Sequence, residues 1–160
     1  DFYFTYPVKE ASIIPYEKTE TKSTSNRKKK TGYNLPVIEK ASKLIEDMSR
    51  EYGITVAGRA KSRLKKNDLD SVARYLIRIF DTVARGRDLI STVEENTDRI
   101  IIRVNRCPLD FDNPGMCLAH TTMEQTVVEI LNPNLTYRIG KSIPAGDKFC
   151  EHIIEVKNKS

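Results

Sequence analysis

The hydrophobic period of this chain switches from helical to alternating near residue 88, and that switch restricts the folds open to it. From about residue 35 to the switch, apolar residues recur every three or four positions; after it they alternate, apart from one helical stretch over about 114–131. A helical period cannot be satisfied by a strand, nor an alternating one by a helix, because side chains point every 100° on the first and every 180° on the second. The chain must therefore lay down helices first and strands second.

Pro36 suits a first helical turn capped by Asn34. Val37, Ala41, Leu44, Met48 and Tyr52 then form an apolar stripe, which Gly53 is expected to stop. A second, more polar helix is expected over 54–66. Asn67 or Asp68 would cap a third, with Leu69, Val72, Leu76, Phe80 and Val83 as its stripe and Gly86 as its end. Strands are expected over 89–94 and 99–105 around a polar turn at 96–98. Asn113 and Pro114 open a fourth helix, expected to run to about Leu131. Leu135, Tyr137 and Ile139 mark a third strand, and 149–156 a fourth. Helices followed by a strand meander with one inserted helix define an α+β fold, an antiparallel sheet with a helical layer on one face.

Residues 1–34 read differently. Phe2, Phe4 and Tyr6 alternate as on a half-buried strand, Pro7 and Pro15 confine that segment to an edge or arm, and 17–31 holds almost nothing to bury. The expected organisation is an extended arm and linker over 1–34 and one ligand-binding domain over 35–160. The net charge of +5 owes much to Arg27-Lys28-Lys29-Lys30, read as a solvated linker, so nucleic acid is not an expected partner. No apolar run approaches the roughly 18 residues a membrane span needs. An odd count of three cysteines argues against a disulfide framework, and no leader pattern is read at the start. A reducing cytoplasm is the expected location.

All three cysteines and both histidines fall in the last third of the chain. Cys117, His120 and Glu124 stand at i, i+3 and i+7, on one side of the fourth helix. Cys150, His152, Ile154 and Val156 share a strand face, with Glu151 and Glu155 on the other, so the cysteine face is the inward one. Cys107 ends the strand before the helix. The thiols can thus converge between helix and sheet. Zinc takes such ligands, and the candidate set is Cys107, Cys117 and Cys150 with His120 or His152. The plain alternative is that free cysteines act as small buried hydrophobes. A nucleophilic Cys117 is a third option, because a helix N-terminus lowers a thiol's pKa. Met116 and Met123, with His120, Val127 and Ile130, form the stripe that should pack on the sheet.

The run from Arg99 to Pro108, Cys117 opening a helix, and Ile143-Pro-Ala-Gly-Asp-Lys-Phe-Cys150-Glu-His-Ile-Ile154 together resemble the 4-vinyl reductase, or hydrocarbon-binding, domain family. The resemblance covers about 35–157, and Ala-Gly-Asp-x-x-Cys is its most specific piece. It implies antiparallel strands under a helical layer, a cytoplasmic homodimer, and a small, largely apolar ligand. In relatives attached to aromatic-responsive transcription regulators it implies a cysteine-rich zinc site beside the pocket. Two of those ligands match Cys117 and Cys150. Two others fall near Ile139 and Ser142, which cannot serve, so Cys107 and a histidine would have to replace them. With the Met/His stripe, the resemblance points to Leu76, Phe80, Met116, Met123 and Val127 as pocket walls and to His120 or Arg103 as a polar anchor. No nucleotide-binding motif accompanies it, and reductase activity is not carried over. The expected function is a small-molecule binding module, sensory or carrier, with a zinc site; the rivals are a thiol-dependent hydrolase using Cys117 and a dimeric interaction scaffold.

Overall fold

A computed structural model describes residues 35–84 and 89–157. The aromatic arm, the basic run, the Asn34 cap and the Gly86 stop lie outside the described residues. Helix α1 (Leu35–Lys61) and helix α2 (Leu69–Ala84) come first, followed by strands β1 (Ile90–Glu95) and β2 (Arg99–Val104). Two short helices, α3 (Pro114–His120) and α4 (Thr122–Leu131), precede β3 (Leu135–Ile139), a 3₁₀ turn (Ile143–Ala145) and β4 (Cys150–Val156). The strands form one antiparallel sheet in the order β1-β2-β4-β3. The α+β class and the order of elements are as the period switch requires.

The first two expected helices are a single one. Gly53 does not stop α1; it lies inside it, where a Cβ would stand 2.8 Å from the Met123 carbonyl oxygen and 2.8 Å from the Thr126 Cβ. The glycine serves close approach of α1 to α4, a gain that outweighs its roughly 1 kcal/mol cost in helix propensity. The buried face of α1 is accordingly Ser49, Gly53, Val56, Ala57 and Ala60. Its sequence-evident stripe faces solvent instead: Leu44 is 61 % exposed, Met48 63 % and Tyr52 47 %.

Helix α2 follows its pattern. Asp68 accepts the Ser71 N–H at 2.9 Å as an N-cap, and Val72, Leu76 and Phe80 are buried. The expected fourth helix is interrupted at Thr121, whose hydroxyl donates to the Leu118 carbonyl at 2.8 Å and competes with the helical ladder. Asn113 caps α3 as expected, its side chain accepting from the Met116 N–H, with Pro114 in the first turn.

The inward face of the sheet carries Ile100, Ile102 and Val104 of β2 and Cys150, His152 and Ile154 of β4, all buried. Register pairs Ile102 with His152 and Val104 with Cys150, so the reactive side chains of β4 lie in the middle of the sheet. These strands join Val72, Leu76, Phe80, Val127, Val128 and Leu131 in one core. The other face bears ion pairs: Arg103 with Glu94 and Glu151, and Arg138 with Glu155.

Candidate functional site

A small cavity of about 70 Å³ opens between the C-terminal half of α2, the inward face of the sheet, α4 and the β2–α3 loop. Ile79, Phe80, Leu89, Met123 and Ile139 give it apolar walls. Val83 and Leu109, both substantially exposed, stand at its solvent side. Cys107, Cys117, Cys150, His120, His152 and Glu124 also line it. The convergence expected from strand and helix counting is therefore found, at one chamber.

Local chain geometry explains each thiol. In the β2–α3 loop the Asp110 N–H donates to the Cys107 carbonyl at 3.4 Å and the Phe111 N–H to the Cys107 sulfur, also at 3.4 Å. The turn closes through Asp110 at φ 50°, a left-handed backbone that Asp tolerates better than most side chains. Cys117 accepts from the Ser142 hydroxyl at 3.8 Å. The Ile143-Pro-Ala-Gly-Asp segment makes the 3₁₀ turn that Gly146 ends at φ 100°, while the Asp147 carboxylate accepts the Ser142 N–H at 2.9 Å. That arrangement aims the Ile143 N–H at the Cys150 sulfur, 3.3 Å away. Burial pushes the Cys117 and Cys150 thiols above their ordinary pKa, so both favour the neutral form.

The imidazoles are neutral as well. His152 is buried and its pKa is depressed to about 4 by desolvation. Its Nδ1 lies 2.7 Å from the Tyr137 hydroxyl, and the Phe80 ring packs on it at 4.6 Å. Burial raises the Tyr137 phenol well above its usual value, with Glu124, Cys117 and Cys150 near enough to add to the shift. His120, also depressed by desolvation, packs against Phe111 at 5.6 Å.

Glu124 stands apart. It is only 5 % exposed, and among the described residues its Oε2 has no hydrogen-bond partner. Desolvation lifts its pKa to about 7, against a smaller lowering from its own backbone N–H. A buried carboxylate oxygen without a donor is costly for the ionised form.

Of the expected pocket residues, Phe80, His120 and Met123 line the cavity. Leu76 and Val127 are fully buried in the packed core and do not reach it. Met116 turns to α1, where its sulfur accepts from the Ser42 hydroxyl at 3.8 Å. Arg103 is not a polar anchor here: strand alternation puts it on the opposite face, where its Nε donates to Glu151 at 3.0 Å. The expected metal ligands Cys107, Cys117, His120 and Cys150 all line the chamber, yet among the described residues no three His, Cys, Asp or Glu side chains form a metal cage. Sequence alone gives Glu124 and Tyr137 no role in the site. Glu124 shares the helix side of Cys117 and His120, which is the signal it offers.

No protein-family model matches the chain, and no curated protein matches it. Among the described residues no helix is long and apolar enough to cross a membrane.

Proposed function

We propose that this domain is a binding module for a small, largely apolar molecule, held between α2, α4 and the sheet. The carrying observation is the apolar chamber walled by Ile79, Phe80, Leu89, Met123 and Ile139, with a few polar groups converging inside it. At about 70 Å³ the chamber has room for about two waters at roughly 30 Å³ each. A ligand body must therefore push aside rim side chains of the 106–111 loop and of α2, among which Leu109 and Val83 are exposed apolar ones. The resemblance of the Ile143–Ile154 segment to hydrocarbon-binding domains supports the same reading.

Native mass spectrometry of freshly purified protein tests it, together with amide chemical-shift titration using ethylbenzene. Shifts clustered around Met123, Phe80 and Leu109 are expected; no shift there and no retained ligand mass would overturn the reading. Zinc drawn in by Cys107, Cys117, Cys150 and His120 is a separate proposal, decided by metal analysis of the same sample, and the binding reading does not depend on it. Homodimerisation, as the resemblance implies, is tested by mass in solution. A Cys117 hydrolase is the weaker alternative. A thiol nucleophile must ionise, and burial opposes that here.

A further inference from the structure

The chamber contains a recognition element that its apolar walls do not explain. Glu124 enters from α4, is almost wholly buried, lines the cavity, and leaves Oε2 without a donor among the described residues. Its potential partners are otherwise engaged or uncharged. Outside the lining, the Tyr137 hydroxyl is bound to His152. Burial lowers the pKa of both lining imidazoles, His120 and His152, which favours their neutral form. Arg106, the one permanently positive side chain of the described lining, is largely exposed and stands 3.9 Å from Asp110. The chamber thus presents one acidic acceptor and no cation inside it.

We propose that the ligand of this chamber is an apolar molecule bearing a hydrogen-bond donor, best an amine, whose N–H groups pair with Glu124 Oε2. The inference rests on the binding-module reading and deepens it by naming the ligand's polar group. An ammonium supplies both the missing donor and the missing countercharge, and charge-assisted hydrogen bonds are about twice as strong as neutral ones. A hydroxyl supplies the donor alone. The carboxyl is already desolvated by the fold, so the ligand pays only for stripping its own head group. The head group is small enough for the cavity as it stands, and the apolar body then points to the Leu109 and Val83 rim, where side chains can yield.

The test uses three probes of one shape: benzylamine, benzyl alcohol and ethylbenzene. Each is titrated into the whole chain and followed by amide chemical shifts near Met123. Benzylamine is expected to bind about tenfold more tightly than ethylbenzene, with benzyl alcohol between them. Glu124→Met, which keeps the volume and removes the acceptor, is expected to abolish that order while still binding ethylbenzene. Glu124→Gln, which keeps an acceptor oxygen without the charge, is expected to bring the amine down to the level of the alcohol. If benzyl alcohol equals benzylamine in the wild type, the amine assignment is overturned and the donor class stands. If all three bind alike and Glu124→Met changes nothing, the donor inference falls and the apolar-pocket reading survives. If none binds, both fall. The wild-type series decides the matter alone should either variant fail to fold.

Discussion

Replacing Glu124 by glutamine should change stability by an amount that depends on pH. In the folded protein the carboxyl titrates near 7, against an ordinary value of 4.5. That difference is worth about 3 kcal/mol, at 1.36 kcal/mol per unit. Below pH 4.5 the group is protonated in both folded and unfolded chains and costs the fold no ionisation energy. As pH rises from 4.5 to 7 the unfolded chain releases its proton first, so wild-type stability falls, and above 7 the loss is complete. The amide of the Glu124→Gln variant cannot titrate. The variant should therefore gain on the wild type by about 3 kcal/mol between pH 4.5 and 7.5, whatever constant offset its amide introduces. His152 acts in the opposite sense. Its folded pKa of about 4 lies below the usual 6.5, so its contribution is present above 6.5 and is lost as pH falls toward 4. The two slopes oppose each other between 4.5 and 6.5, leaving the wild-type profile shallow there and the variant's rising with pH. Because His152 is present in both proteins, it drops out of the difference. Urea unfolding at four pH values between 4.5 and 7.5 measures that difference directly. A variant-minus-wild-type stability that stays constant within about 0.5 kcal/mol across that range, or that falls as pH rises, would refute the assignment of a buried carboxyl with a raised pKa.

Three other outcomes are expected. Gly53→Ala should destabilise by about 1–3 kcal/mol despite alanine's better helix propensity, because its Cβ meets the Met123 carbonyl, whereas Gly58→Ala, with nothing within 4 Å, should stabilise by up to about 1 kcal/mol; paired urea curves compare them. Tyr137→Phe should cost about 1–3 kcal/mol in the same assay by leaving the buried His152 Nδ1 without its partner; an unchanged midpoint would show that bond to be dispensable. Iodoacetamide at pH 7 should label Cys117 and Cys150 slowly in the folded chain and quickly in urea, since burial favours their neutral thiols; prompt single labelling at Cys117, located by peptide mass, would revive the hydrolase reading.

The strand half of the fold is legible in the sequence because period 2 fixes faces without knowledge of partners. It places Cys150 and His152 inward and Glu151 outward; the expectation of Arg103 as a pocket anchor runs against the same counting, which puts it on the outer face with Glu151. Helix α2 is legible for a similar reason as far as Phe80, since Val72, Leu76 and Phe80 are buried while Val83 at the end of the stripe is exposed. Helix α1 misleads because apolar spacing reveals a stripe but not what covers it. Its tightest contact uses Ser49, Gly53, Ala57 and Ala60, residues whose small size is the signal, while Leu44, Met48 and Tyr52 remain outside. Leu76 and Val127 are drawn into the expected pocket for want of depth: periodicity tells inside from outside, not core from cavity wall. Glu124 is placed by helix counting beside Cys117 and His120 but given no role, because a carboxyl on a helix is ordinarily solvated; only packing reveals that this one is buried with its Oε2 unpartnered among the described residues.

The strand order has a consequence for how the chamber comes into being. β4 sits between β2 and β3, yet it follows both in the chain. During synthesis the β1–β2 hairpin and β3 are made with facing edges that cannot pair until residues 150–156 emerge. Until then the isoleucine-rich edge of β2 is open, the kind of unpaired border that recruits other chains. Insertion of that one late strand closes the edge and delivers Cys150 and His152 together. The chamber's lining and protection from aggregation are thus completed in the same step.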